Sequence, residues 1–195
     1  MLYERYPALK ACMDDIYAAL GIMINTYRRG GKILICGNGG SAADSDHIVG
    51  ELMKGFLLCR RVTDERIPEH LRDKLQGALP AISLCAQGAV MTAFINDVEP
   101  DMMYAQLVYG YARPEDLLIG ISTSGNSANV VNAIETANAL GVKTLAMTGS
   151  KGGKLSDMAD VTIKVPADET YKIQEYHLPV YHYLCAETEK EFFNR

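Results

Sequence analysis

No apolar run among these 195 residues approaches the length of a membrane span, which argues against a membrane-spanning helix. The five cysteines, Cys12, Cys36, Cys59, Cys85 and Cys185, are scattered. They form no CxxC pair and no spacing typical of zinc ligands, so small, mostly buried residues are expected. A net charge of -5 argues against a general nucleic-acid surface. The opening Met1-Leu2-Tyr3-Glu4-Arg5 reads as neither a signal peptide nor a basic transit segment, and the expected compartment is the cytoplasm. No repeat, low-complexity tract or linker divides the chain. What remains is a globular class whose length suits one domain, residues 1–195, with a helical N-terminal segment over about 1–30 included.

What is present is an alternation of short apolar runs and amphipathic stretches. Leu9, Met13, Ile16, Leu20, Met23, Ile24 and Tyr27 recur at steps of three and four, predicting a helix over residues 6–27 that Gly30-Gly31 stops. Strands are predicted at 32–36, 80–85, 117–121, 143–147 and 161–165. Further helices are predicted at 41–54, through Val90, Met91 and Phe94 to Asn96-Asp97, at 102–111, at 127–140 and at 170–193. Residues 55–79 are charge-rich and read as a surface excursion over a pocket mouth, with a short helix at 69–76. Alternation of this kind implies an α/β fold: a mainly parallel sheet with helices on both faces and ligands bound beyond the strand C-terminal ends. The long first and last helices exceed what a small sheet needs to cover itself, and a homo-oligomer is expected.

Two strand ends carry small polar loops. Ile33-Leu34-Ile35 runs into Cys36-Gly37-Asn38-Gly39-Gly40-Ser41, and Leu117-Leu118-Ile119-Gly120-Ile121 runs into Ser122-Thr123-Ser124-Gly125-Asn126-Ser127. Glycines admit close backbone approach, and the following helix start presents unpaired N–H groups to an anion. Together the loops predict a pocket for a phosphorylated small molecule. His47 and Glu51 stand four apart on one helix face. That spacing suits two ligands of one metal, a base beside its partner, or a plain surface pair. Gln174 and His182 are eight apart, a rise of roughly 12 Å. They could not easily meet one ion from one straight helix, so a bend or contributions from different subunits are expected. His70 and His177 read as structural.

The ordered set Cys36-Gly37-Asn38-Gly39-Gly40-Ser41, His47-x3-Glu51, Asn96-Asp97, Ser122-Thr123-Ser124-Gly125-Asn126-Ser127, Thr148-Gly149-x3-Gly153 and Gln174-Glu175-x-His177-x4-His182 resembles the phosphoheptose isomerase family of the sugar isomerase (SIS) superfamily. The resemblance spans residues 6–193. It implies a three-layer α/β/α sandwich around a five-stranded parallel sheet, flavodoxin-like, and a homotetramer. It also implies interconversion of sedoheptulose 7-phosphate and D-glycero-D-manno-heptose 7-phosphate. By the resemblance, Ser122, Thr123, Ser124 and Ser127 hold the phosphate. Asn38, Gly39, Ser41, Asn96, Asp97 and Gln174 contact the sugar. Glu51 is the general base, His182 the general acid, and Zn²⁺ binds at His47, Glu51, Gln174 and His182. Neither a nucleic acid nor a membrane is implied as a partner.

Two features depart from the family pattern. Gly55 stands near a position where relatives commonly carry a basic substrate contact, leaving Lys54 or Arg60 as replacements. The 57–79 excursion is longer than the pattern and bears on which sugar fits. The competing expectations are a non-catalytic SIS protein of the kind that binds the replication initiator, and an isomerase for another sugar phosphate. Retention of Glu51 and His182 favours an enzyme.

Overall fold

Apolar residues one apart along each strand point to opposite sides of one sheet, and each side acquires its own core. The computed structural model describes residues 2–194. Its strands are β1 (Ile33–Gly37), β2 (Ala81–Ser83), β3 (Leu117–Ile121), β4 (Lys143–Thr148) and β5 (Val161–Lys164). The α-helices are α1 (Leu2–Arg5), α2 (Met13–Arg28), α3 (Gly40–Met53), α4 (Glu69–Arg72), α5 (Gly88–Asp97), α6 (Met103–Tyr111), α7 (Ala128–Ala139), α8 (Leu155–Met158) and α9 (Thr170–Phe193). All strand pairs are parallel, in the order β2-β1-β3-β4-β5. Ile33 and Ile35 of β1, Leu117 and Ile119 of β3, and Leu145 and Met147 of β4 pack with Ile16 and Met23 of α2, Ile48 and Leu52 of α3, and Val180 and Leu184 of α9. Leu34, Cys36, Leu118 and Ala146 pack on the other face with Leu107 and Val108 of α6 and Val130, Ile134 and Ala137 of α7. The result is the expected three-layer α/β/α sandwich. Burying each Leu or Ile side chain contributes about 1.5–3 kcal/mol, so both faces anchor the strands that carry the loops.

The order places β1 and β3 side by side with crossovers leaving in opposite directions, a crevice at the carboxyl ends of the strands. Register pairs Gly37 with Ile121 and Ile121 with Met147, so the loops after β1, β3 and β4 emerge level at one edge.

Several boundaries differ from the sequence reading. The first helix divides: Pro7–Cys12 is 3-10, and α2 begins only at Met13, after Cys12 (φ -122°) leaves the helical range. The second strand is short because Leu84–Ala86 turns into a 3-10 helix. The helix in the excursion stops at Arg72, since Gln76 is drawn into an antiparallel bridge with Arg61. The strand at 117–121 and the helix at 170–193 stand as expected, the latter unbroken through Pro179. Among the described residues no helix is long and apolar enough to cross a membrane.

Candidate active site

The crevice is built from the two polar loops. Asn38, after β1, exchanges two hydrogen bonds with Asn129 in the first turn of α7: each side-chain amide donates to the other's oxygen at 2.9 Å. This reciprocal pair ties the starts of α3 and α7 across the crevice. Ser127 is the N-cap residue of α7, and its hydroxyl lies 2.9 Å from that of Ser122, which is buried. Ser124 Oγ accepts from the Asn126 backbone N–H at 3.1 Å. Thr123, Ser124 and Asn126 line one side of a cavity of about 200 Å³, with Gly149, Ser150, Lys151 and Asp168 on the other. Gly125 makes that closeness possible. Its φ is +68°, and a Cβ there would lie 1.8 Å from the Gly152 carbonyl oxygen. Hydroxyls, a helix start and Lys151 together suit an anion.

α3 carries the second part of the site and packs against α9. His47 Nε2 lies 3.1 Å from Glu51 Oε1 and 3.5 Å from His182 Nε2. Each of the three residues offers an atom within 4.8 Å of the others, and among the described residues no other group of His, Cys, Asp and Glu does so. The Phe56 ring stands 5.5 Å from the His182 ring. Burial, and then the neighbouring His47, push the His182 pKa below the ordinary imidazole value, against an opposing pull from Glu51. His182 is therefore neutral at pH 7.

The group fits a divalent metal. Glu51 Oε2 is buried and has no hydrogen-bond partner. His47 Nδ1 lies 2.9 Å from the Tyr181 hydroxyl, which itself donates to Asp44 Oδ1 at 3.2 Å. The hydroxyl has one hydrogen, so a donating His47 Nδ1–H leaves Nε2, which faces Glu51 and His182, as the atom that would ligate an ion. Two imidazole nitrogens and a carboxylate facing one another need a positive charge among them, and this donor set suits Zn²⁺ with a position left open.

The structure brings His47, Glu51 and His182 together within one chain. They meet where α9 crosses α3, and the expectation of a bend or of different subunits concerned Gln174 and His182. Gln174 sits instead beside the start of α3, where a Cβ on Gly40 would lie 2.5 Å from Gln174 Nε2. No hydrogen bond joins it to the three. Gly39 is exposed at the mouth of the crevice, whereas Ser41 is buried at the base of α3. Asn96 and Asp97 are exposed at the end of α5 and bond to each other (2.7 Å), with no hydrogen bond to the rest of the site.

Arg60 is not available to a substrate, contrary to the sequence reading. It is buried, donates from Nε to Glu189 Oε1 at 2.7 Å, and reaches the Leu52 and Glu51 carbonyls at 2.6 and 3.0 Å. The helix end at Glu51 and Leu52 offers carbonyls without intrahelical partners, which explains the attraction. Lys54 remains, with Nζ 3.8 Å from Glu51 Oε2. The excursion holds its own cavity of about 660 Å³ between residues 59–63 and 72–76, and its Phe56 and Leu57 line a second one, of about 510 Å³, together with His182. His177 is structural as expected: it is buried, with Nε2 3.3 Å from the Thr148 carbonyl. Asn129, Asp44, Tyr181 and Glu189 escaped sequence reasoning. Only Asp44, one helical turn before His47, carried a local signal.

Comparison with known proteins agrees with this geometry. Residues 7–149 match the family model of the SIS domain, which defines the class of protein. The phosphoheptose isomerase of Crocosphaera subtropica is 42% identical over 174 residues, covering 89% of this chain and 81% of the relative. That of Akkermansia muciniphila is 38% identical over 190 residues, 97% and 92% of the two chains. The solved phosphoheptose isomerase of Francisella tularensis superposes with a TM-score of 0.80 at 31% identity, covering 95% of this chain and 91% of that one. The chain belongs to the phosphoheptose isomerase family of SIS-domain proteins.

Proposed function

We propose that this protein is an aldose–ketose isomerase that converts sedoheptulose 7-phosphate to D-glycero-D-manno-heptose 7-phosphate through an enediol. The observation that carries the reading is the meeting of Glu51 with His182 and His47 in a chain of this family. The serine loop after β3 holds the phosphate, remote from the reacting carbons, so its binding orients the sugar. Asn38, Gly39, Asn96, Asp97 and Gln174 are read as contacts to the sugar chain. Glu51 takes a proton from carbon 1 of the ketose, and the C2 carbonyl oxygen gains one, giving the enediol. The same carboxyl returns a proton to carbon 2 while the oxygen on carbon 1 loses its own. Neutral His182 carries protons to and from those oxygens. We read His47, Glu51 and His182, joined by Gln174, as the residues that hold Zn²⁺. The chemistry this ion supplies when bound is polarisation of the substrate oxygens.

The chain is read as one domain that assembles as a homotetramer. Support comes from α5, which carries Val90, Met91, Phe94 and Ile95 yet buries none of its residues. Val98, Met102, Tyr109 and Tyr111 extend this exposed apolar surface, and a second copy of the chain would cover it. The cytoplasm is the compartment of the reading, since its substrate is an ionised sugar phosphate and the cysteines are free thiols.

The test is incubation of purified protein with sedoheptulose 7-phosphate in D₂O, with product and deuterium position read by NMR. Wild type should form the aldose phosphate. Glu51→Gln should lower turnover by roughly 100-fold or more and still bind inorganic phosphate. No product from wild type, or near-normal turnover by E51Q, overturns the reading.

A further inference from the structure

The cavity of about 660 Å³ in the excursion has no part in the isomerisation, yet both of its walls are fixed. Glu189 anchors the wall at residues 59–63, accepting from the backbone N–H of Phe56, Leu57 and Leu58 and from Arg60 Nε. In the wall at residues 72–76, the Arg72 N–H donates to the Pro68 carbonyl at 2.9 Å and the Asp73 N–H to the Glu69 carbonyl at 3.0 Å. The walls are also tied to each other. Arg61 and Gln76 form an antiparallel bridge, and the Gly77 N–H donates to the Arg60 carbonyl at 2.7 Å. The chain carries a net charge of -5, but this lining is basic: Arg61, Arg72 and Lys74 share it with one carboxylate, Asp73. Among the described residues the side chains of these three cations have no ion pair and no hydrogen bond. Arg60, at the base, is neutralised by Glu189. Asp64, the carboxylate whose charge Arg72 feels, is held through both oxygens by Arg66.

We propose that this cavity is a second anion site, separate from the serine loop, and that it takes a small molecule bearing two or more phosphate groups. Its lining shares no residue with the cavity beside Thr123 and Ser124. Like charges held around one space repel, and an anion among them relieves that repulsion while giving each cation a charge-assisted hydrogen bond. Guanidinium groups match phosphate oxygens in pairs, and the Thr63 hydroxyl adds a neutral donor. Arg61 stands on one wall and Arg72 and Lys74 on the other, in a volume typical of a small-molecule site and far larger than one phosphate. A ligand with phosphates at two places engages both walls at once. No aromatic ring lines the cavity, so a nucleobase finds no stacking partner there and the phosphates carry the recognition.

Cys59 lines the cavity as an exposed free thiol and reports on its occupancy. The test follows alkylation of Cys59 by iodoacetamide in the native protein, read by mass spectrometry, against increasing inorganic pyrophosphate. Pyrophosphate should slow the reaction about fivefold or more at saturation, and at a concentration about tenfold lower than orthophosphate requires. Added sodium chloride should weaken the protection, as it does for exposed charges. The triple variant Arg61→Gln, Arg72→Gln, Lys74→Gln should need about tenfold more pyrophosphate or lose protection, with turnover unchanged and folding checked by circular dichroism. Arg61→Lys with Arg72→Lys keeps the charges and should retain most of the protection. Ser124→Ala, in the serine loop, should leave it unchanged. Four results overturn the proposal: a Cys59 that does not react in the native protein, because another copy of the chain covers it; no protection by pyrophosphate; equal protection in the triple variant; or loss of protection in S124A, which would assign the anion to the serine loop.

Discussion

Replacing Glu189 by Ala should destabilise the protein far more than replacing its partner Arg60 by Met. The Glu189 carboxylate accepts from the backbone N–H of Phe56 (2.8 Å), Leu57 (2.7 Å) and Leu58 (3.1 Å) and from Arg60 Nε (2.7 Å). Both side chains have 0% exposure. Without Glu189, a buried guanidinium keeps only two carbonyl partners, and three backbone donors lose theirs. Breaking a buried pair costs about 3–5 kcal/mol, and each orphaned N–H adds up to about 1–3 before relaxation. We therefore expect a loss of at least about 4 kcal/mol, a large share of the 5–15 kcal/mol typical of a domain, and a fall in Tm of about 10 °C or more. Arg60→Met leaves the carboxylate with its three N–H donors, so about 2–3 kcal/mol is expected. The assay is urea denaturation of both variants at pH 7.5, followed by circular dichroism. The reasoning is refuted if E189A costs no more than R60M. Acid should weaken the same clamp. Burial pushes the Glu189 pKa up, but the Phe56 and Leu57 N–H groups and Arg60 outweigh it and hold the pKa below the ordinary carboxylate value. A depressed folded pKa means the stabilisation is complete above the unfolded pKa of about 4.3 and is lost as pH falls below it.

Two further tests probe the scaffold around the site. Burial lowers the His177 pKa from 6.5 to about 4, against a smaller opposing effect of its bond to Thr148, so the unfolded chain takes the proton first. Stability should fall by up to about 3 kcal/mol as pH drops from 6.5 to 4, and His177→Gln should flatten that part of the pH–stability curve. An equally steep curve in the variant would show that other groups govern it. Gly125→Ala forces a side chain into φ +68° and against the Gly152 carbonyl. It should cost about 1–2 kcal/mol or more and weaken inorganic phosphate binding measured by calorimetry, whereas unchanged phosphate affinity would separate the loop from the anion site.

Much of the fold was legible because burial leaves a local signature. The run Leu117–Ile121 is buried at every position and was read at its true bounds. His47 and Glu51 were paired because helical spacing alone puts them on one face, and their contact at 3.1 Å follows. The excursion was harder: Arg60 looks like a surface cation, and nothing local shows that Glu189, 129 residues on, neutralises it in the interior. Gln174 and His182 show the converse. Their separation along one helix was judged correctly, but which ligands share a site depended on where another helix crosses.

The sequence by itself determined the alternation of strands and helices, the polar loops at strand ends and the residue types available for proton transfer. Each of these rests on periodicity or backbone freedom within a few residues. The tertiary structure alone decided the sheet order that joins Asn38 to Asn129, the burial of Arg60 against Glu189, and the α3–α9 crossing that gathers Asp44, His47, Glu51, Tyr181 and His182. Those contacts link residues up to 137 positions apart through packing of whole elements. Local patterns carry no information on which elements become neighbours.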